Sequence, residues 1–377
     1  MREERSVMKD ELQTSQTKLY KEVKDLYEQG QFAQARDKLK EVLIEKPEDP
    51  DLWCLEARIR ISLDDADAAI YAIEQACQFA PDQCEPYLLQ ADFYNSYEQF
   101  KEAAEASKQA VLLATNPEQK RDALFQQGDA IFGMVHQELF LLSEDLEDES
   151  EYIRLPPELE AQLGSGLEII DQVIDLDPNF ACVWELRANY MDLLDLSSEA
   201  LEAWRQAVRI EPQNPDYVHG LAKTLEDLEE FDEAHSAYNQ LYALDTELFG
   251  RDDAEPLLFA PKLFATTAQE TWADIQNEMI ADSVPLLFEF DTAIYPPKQM
   301  MEASTAQSLM DPRTNLHIEV EANLPHDPIV RLLIFQRNIE RDLPNDDPDE
   351  LYYAIREIME HSVERILDYV ADAEIEE

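Results

Sequence analysis

The sequence predicts a mainly α protein. An α-solenoid of about six helical hairpins is expected over residues 1–248, a linker over 249–263, and a small α+β domain over 264–377. Three observations predict it. Prolines recur at a step of 34, at Pro47 and Pro81 and again at Pro178 and Pro212. Small residues keep the same step: Ala35, Ala69, Gly166 and Ala200 each stand twelve before one of those prolines. The last third loses the period and alternates apolar with polar residues over short stretches.

The step has a simple physical reading. Two short helices pack antiparallel in each unit, and a small residue is needed where their backbones approach closely. Proline stops one helix and is tolerated at the start of the next. A single hairpin cannot bury its apolar face, so hairpins stack. Ala103 and Ala234 carry each series one step further, with Thr115 and Thr246 in the proline's place. Trp53 and Trp184 lie 28 before Pro81 and Pro212, and Phe32, Phe100 and Phe231 stand three before the small residue. The units expected are about 16–49, 50–83, 84–117, 118–178, 179–212 and 213–247. The fourth departs: "RDALFQQGDAIFGMVHQELFLL" is a long first helix, an acidic insertion follows near 143–158, and "LEAQLGSGLEIIDQVIDL" is the second helix. The "SEDLEDESE" block reads as a solvated loop, with docking of a basic peptide as the alternative.

Tryptophan, small residue, aromatic, small residue and proline at these offsets resemble the tetratricopeptide repeat, over roughly 60% of the chain. The resemblance implies a groove lined by the first helix of each unit, binding a protein or peptide segment. One groove-lining position reads Lys24, Arg58, Asp92, Asp129, Asn189 and Lys223. These mixed signs do not make a clamp for a C-terminal carboxylate, which needs several cations and amides together. Lys24 and Arg58 are the binding candidates, and plain surface charge is their alternative.

Beyond residue 248, "FGRDDAEPLLFAPKLF" reads as linker or docking segment and "ATTAQETWADIQNEMIADS" as an amphipathic helix. "PLLFEFDTAI" and "TNLHIEVEA" alternate like half-exposed strands, and "IVRLLIFQRNIER" reads as a more buried strand. "YPPKQMMEASTAQSLMDPR" is turn-rich. The final helix opens with Asp349 and Glu350, which suit its dipole, and ends in an acidic, frayed tail.

"DPRTNLHIEVE", "LLIFQRNIER" and the spacing to the last helix resemble a small zincin-like metallopeptidase family, the minimal matrix-metalloprotease-like domain. In that family the last helix bears His-Glu-x-x-His: two imidazoles one turn apart hold zinc, and the Glu is the general base. Aligned on "IFQRNIER", the ligand positions here are Glu360 and Glu364, and the base position is His361. The Gly-Leu that follows in the family is Leu367 and Asp368. The resemblance thus implies the fold without the zinc chemistry, so no catalytic residue, metal or cofactor is expected. A Mg²⁺, Ca²⁺ or Mn²⁺ site on the two glutamates is the alternative. On a helical wheel Leu351, Ile355, Ile358, Met359, Ser362 and Ile366 face one way, and Glu357, Glu360, His361, Glu364 and Asp368 the other.

Composition limits the partners. The 83 acidic against 30 basic residues give a net charge of −53, which excludes nucleic acid and disfavours an anionic membrane. It suits a saline setting or a basic partner. Seven glycines and no GxxxxGK[ST], GxGxxG or GxSxG leave no phosphate cradle or nucleophile elbow. His136, His219, His235, His317 and His326 are scattered without ligand spacing. Cys54, Cys77, Cys84 and Cys182 form no CxxC pair and read as buried free thiols. With no apolar leader and no long apolar run, a cytoplasmic protein is expected. The function expected is protein binding through the solenoid. An active metal-dependent peptidase and a structural scaffold without a groove ligand are the alternatives.

Overall fold

The computed structural model describes residues 19–144, 155–249, 261–278, 287–293, 318–322, 329–341, 343 and 347–375. They fall into two compact units, the first ending at Ile210 and the second beginning at Glu211.

The first unit is a run of antiparallel hairpins. They are α1 (19–28) with α2 (Phe32–Glu45), α3 (Pro50–Ile61) with α4 (Ala66–Phe79), α5 (Cys84–Ser96) with α6 (Phe100–Leu113), α7 (Pro117–Glu144) with α8 (Pro157–Leu176), and α9 (Ala181–Leu193) with α10 (Ser197–Ile210). The long first helix expected in the fourth hairpin is α7, at 28 residues. The acidic insertion falls largely on residues outside those described.

The periodic small residues sit where expected: Ala35, Ala69, Ala103 and Ala200 are fully buried. In the fourth hairpin the position is Gly166, for a specific reason. A Cβ there would lie 2.2 Å from the Tyr190 hydroxyl oxygen. That hydroxyl donates to the Gly128 carbonyl at 2.6 Å, so one buried tyrosine of α9 locks against both α7 and α8. Apolar clusters then join neighbouring hairpins. Leu39 and Val42 of the first pack with Leu52, Leu55 and Ile59 of the second, whose Ile73 packs with Leu89 and Phe93 of the third.

Two kinds of joint repeat. Between hairpins, the indole of Trp53 donates to the Pro47 carbonyl at 2.8 Å, and that of Trp184 to the Pro178 carbonyl at 3.0 Å. This explains the fixed offset of tryptophan from proline. Where Thr115 replaces proline, Asn116 Oδ1 caps α7 by accepting from the Gln119 backbone N–H, and Gln119 Oε1 accepts from the Thr115 backbone N–H just before the cap. Within hairpins, a left-handed residue ends the first helix: Gly30, Asp64, Glu98 and Asp195, with φ between 55° and 70°. Each makes the same pair of bonds, as in Asp64 N to Ile61 O and Asp65 N to Arg60 O. Only the first is glycine. Beside one such turn lies a partly buried ionic group: Arg60 donates to the buried Glu56 at 2.7 Å and to the more exposed Asp65 at 2.6 Å.

The second unit opens with the sixth hairpin, α11 (Pro215–Asp227) and α12 (Phe231–Phe249). Its small residue Ala234 is buried, and Glu229 repeats the left-handed turn at φ 60°. Then come α13 (Pro261–Glu278), β1 (Leu287–Ala293), β2 (Ile318–Ala322), β3 (Ile329–Phe335), α14 (Gln336–Arg341) and α15 (Pro348–Ile375). The sheet is mixed, in the order β1-β3-β2, with β1 parallel and β2 antiparallel to β3. Ile334 and Phe335 are successive and both fully buried, so the end of the central strand is covered on both faces. Phe264, Trp272 and Ile275 of α13 pack with Ile334, Ile339, Leu351, Ile355, Met359 and Val363.

Four expectations are corrected. "FQRNIER" does not continue the strand: β3 ends at Phe335 and a short helix follows. The linker is shorter than 249–263, because α12 includes Phe249 and α13 begins at Pro261. The final helix runs to Ile375 rather than fraying through its acidic end. Val363, left off the apolar face, is fully buried. The turn-rich "YPPKQMMEASTAQSLMDPR" stretch lies outside the described residues.

The left-handed turns make a paired prediction. A non-glycine residue there costs roughly 1–2 kcal/mol, partly offset by the freer unfolded chain of glycine. Glu98→Gly is expected to stabilise by about 0.5–1 kcal/mol. Gly30→Ala, where a Cβ has open space but φ is +70°, is expected to destabilise by a similar amount. Chemical denaturation of each variant checks this; unchanged midpoints for both would show that the turn backbone is unstrained.

Candidate functional site

The first helices of successive hairpins carry the expected binding positions. Lys24 on α1 lies over the Tyr20 ring, its ammonium 4.9 Å from the centroid. Arg58 on α3 is half exposed but engaged: its guanidinium meets Glu85 of α5 at 2.6 Å. The two candidates therefore serve different partners. One hairpin on, Asp92 of α5 accepts from Gln126 of α7 at 3.1 Å, and Asn95 donates to Gln126 Oε1 at 2.7 Å. A ladder of polar contacts thus links α3 to α5 and α5 to α7.

Asp129 does not occupy the corresponding place on α7; Gln126 does, one full step of 34 after Asp92. Asp129 is one turn further on and half-buried. Burial first, and the Asp92 carboxylate second, push its carboxyl up to about 6. Asn189 is half-buried on α9, and Lys223 is exposed on α11 of the second unit. Glu85, Asn95 and Gln126 were missed by the sequence reading. Extending the step from Asp92 would have found Gln126; nothing local marks Glu85 as the partner of Arg58.

Three of the four thiols are held well towards the protonated form. Cys54, Cys77, Cys84 and Cys182 are free, and burial pushes the first three up to about 12, 11 and 11. His136 is exposed and stacks on Phe132. His219 and His235 lie on α11 and α12, while His317 and His326 lie outside the described residues.

On α15, Glu360 is held by Arg356 of the same helix at 2.6 Å. Arg356 also donates to the Tyr352 hydroxyl at 3.2 Å, and that hydroxyl donates to Asp274 of α13 at 2.8 Å. The residue at the first ligand position is therefore one end of a polar chain that ties α15 to α13. His361 is exposed, and the Glu364 side chain lies outside those described. Among the described residues, no group of three His, Cys, Asp or Glu is placed to hold a metal ion. None of their helices is long and apolar enough to cross a membrane.

Residues 20–83 match the family profile of the tetratricopeptide repeat. The chain carries tetratricopeptide repeats and is mainly helical. Similar solved structures include Pseudomonas aeruginosa pilF, at 15% identity over 62% of this chain and 92% of that one, with a TM-score of 0.48. PilW, a widely conserved type IV pilus biogenesis factor, is 16% identical over 64% and 96%, with a TM-score of 0.47. A thermophilic tetratricopeptide protein of Thermus thermophilus is 18% identical over 52% and 91%, with a TM-score of 0.41. No curated protein matches the chain.

Asp129 makes a pH prediction. Its carboxyl is raised from the ordinary 3.8 to about 6, so the folded state binds the proton more tightly than the unfolded one. Its contribution to stability therefore falls as pH rises from about 4 to 6, and stays lost above. Asp129→Asn is expected to stabilise at pH 7.5 by about 1–2 kcal/mol, the gap narrowing towards pH 4.5. Urea titrations of both proteins across that range check it; a gap that does not change with pH would refute it.

Proposed function

We propose that this chain is a protein–protein interaction protein whose tetratricopeptide hairpins hold a segment of a partner. The observation that carries the reading is the 34-residue hairpin repeat, with the family match at residues 20–83. The net charge of −53 favours a basic partner. Repeat hairpins occupy residues 1–248 in this reading, and residues 264–377 form a zincin-like α+β domain without zinc chemistry. Support for the last point is local: Arg356 holds the carboxylate at Glu360, and His361 stands where a carboxylate base is needed. Four free thiols accord with a reducing, cytoplasmic setting.

A second reading, a scaffold with no groove ligand, is favoured by one observation. Arg58–Glu85 and Gln126–Asp92 bond successive hairpins to each other, which occupies polar groups a ligand would need.

Hydrogen exchange on the full chain, with and without a partner captured from native lysate, separates the two. Protection is expected along α1, α3 and α5, and a Lys24→Glu/Arg58→Glu variant of unchanged melting temperature should lose most of the capture. Protection confined to other surfaces would favour the scaffold. Elemental analysis tests the last domain: zinc well below one ion per chain is expected. About one ion per chain, with peptide hydrolysis abolished by a chelator, would restore the peptidase.

A further inference from the structure

We propose that a cleft between α5 and α6 in the third hairpin takes a cationic side chain, arginine or lysine, of a partner protein. The rings of Tyr87 and Tyr94 and the carboxylates of Glu102 and Glu105 would hold it.

The cleft has a volume of about 390 Å³. Tyr87, Gln90 and Tyr94 line it from α5, spaced so that they form one stripe of that helix. Glu102, Glu105 and Ala106 line it from α6, and the small Ala106 leaves the space open. On the α5 wheel this stripe is opposite Glu85, Asp92 and Asn95, so the cleft is distinct from the polar ladder of the first helices.

The neighbouring hairpins show what fits such a place. In the first hairpin Lys38, two steps of 34 before Ala106, puts its ammonium on Glu22, two steps before Gln90. In the second, Arg60, one step before Tyr94, puts its guanidinium on Glu56, one step before Gln90. Both hairpins thus fill the equivalent place with a cation of their own. The third has Ala106 in place of that lysine, Tyr94 in place of that arginine and Gln90 in place of the acid. Trp53 of the second hairpin stands one step before Tyr87, and Asp37 of the first stands two steps before Glu105; what the third hairpin brings together is two aromatic rings with two exposed carboxylates. Among the described residues no cation pairs with Glu102 or Glu105; Lys108 also lines the cleft, is exposed and makes no ion pair. Burial raises the Tyr94 phenol, and the Glu74 and Glu102 carboxylates raise it further, so negative charge lies close to the ring. An aromatic face beside carboxylates attracts a guanidinium or ammonium, by the ring quadrupole and by charge.

The proposal rests on the interaction reading and names the partner's chemistry at a second place. Its test uses small probes, so it can fail without touching the first-helix face. The full chain with ring-labelled tyrosine is titrated with Nα-acetyl-arginine amide, Nα-acetyl-lysine amide and the neutral Nα-acetyl-norleucine amide. NMR signals are assigned through Tyr87→Phe and Tyr94→Phe. The cationic probes are expected to shift both rings, and the neutral one to leave them unmoved. Glu102→Gln/Glu105→Gln, on exposed positions, should weaken binding about five-fold. Ala106→Lys, which gives this hairpin its own cation as Lys38 does in the first, should abolish it. Unmoved rings, equal shifts with the neutral probe, or full binding by the glutamine variant would overturn the proposal.

Discussion

The structure depends on one steric constraint: inside each hairpin two helix backbones approach so closely that only a small residue fits between them. Ala35, Ala69, Ala103, Ala200 and Ala234 are fully buried; Gly166, at the same step, meets a further limit, because a methyl there would collide with the Tyr190 side chain of the next hairpin. A larger residue would pry the pair apart and misalign the apolar faces that neighbouring hairpins share. The 34-residue step is the sequence record of that constraint. The hairpin turns and the tryptophan–proline bonds hold the length of each helix so that the small residue arrives opposite its partner.

Charge works against this packing as often as with it. The chain carries a net −53, yet Glu56 is buried and needs Arg60 beside it, and Asp129 is raised towards neutrality rather than paired. Four of the five left-handed turn residues are acidic, although glycine is the residue that conformation favours. Several of the cations are drawn into local pairs, among them Lys38 with Glu22, Arg58 with Glu85 and Arg356 with Glu360. A net charge of −53 suits a positively charged partner and repels an anionic one.

In the last helix, Glu360, at the first ligand position of the metallopeptidase resemblance, is engaged in an ion pair. Glu360 is one end of a chain that runs through Arg356 and Tyr352 to Asp274, and the chain ties α15 to α13. The opposite face of α15 supplies Leu351, Ile355, Met359 and Val363 to the core with the central strand. This part of the molecule is organised around its apolar core, with the polar chain at the rim.

By itself the sequence determined the hairpins, their number and their irregular fourth member, because steric needs at fixed offsets leave a periodic trace. It also determined Leu351, Ile355 and Met359 of the last helix's apolar face, though not Val363, and the absence of paired imidazoles there. It did not determine that β3 stops at Phe335, because an apolar run reads alike as strand or helix until its neighbours pair. It did not determine that Arg58 is engaged, that Gln126 rather than Asp129 continues the ladder, or that Tyr190 sits between two glycines. Those depend on which side chains from separate hairpins meet across space, and only the stacking of the helices decides that.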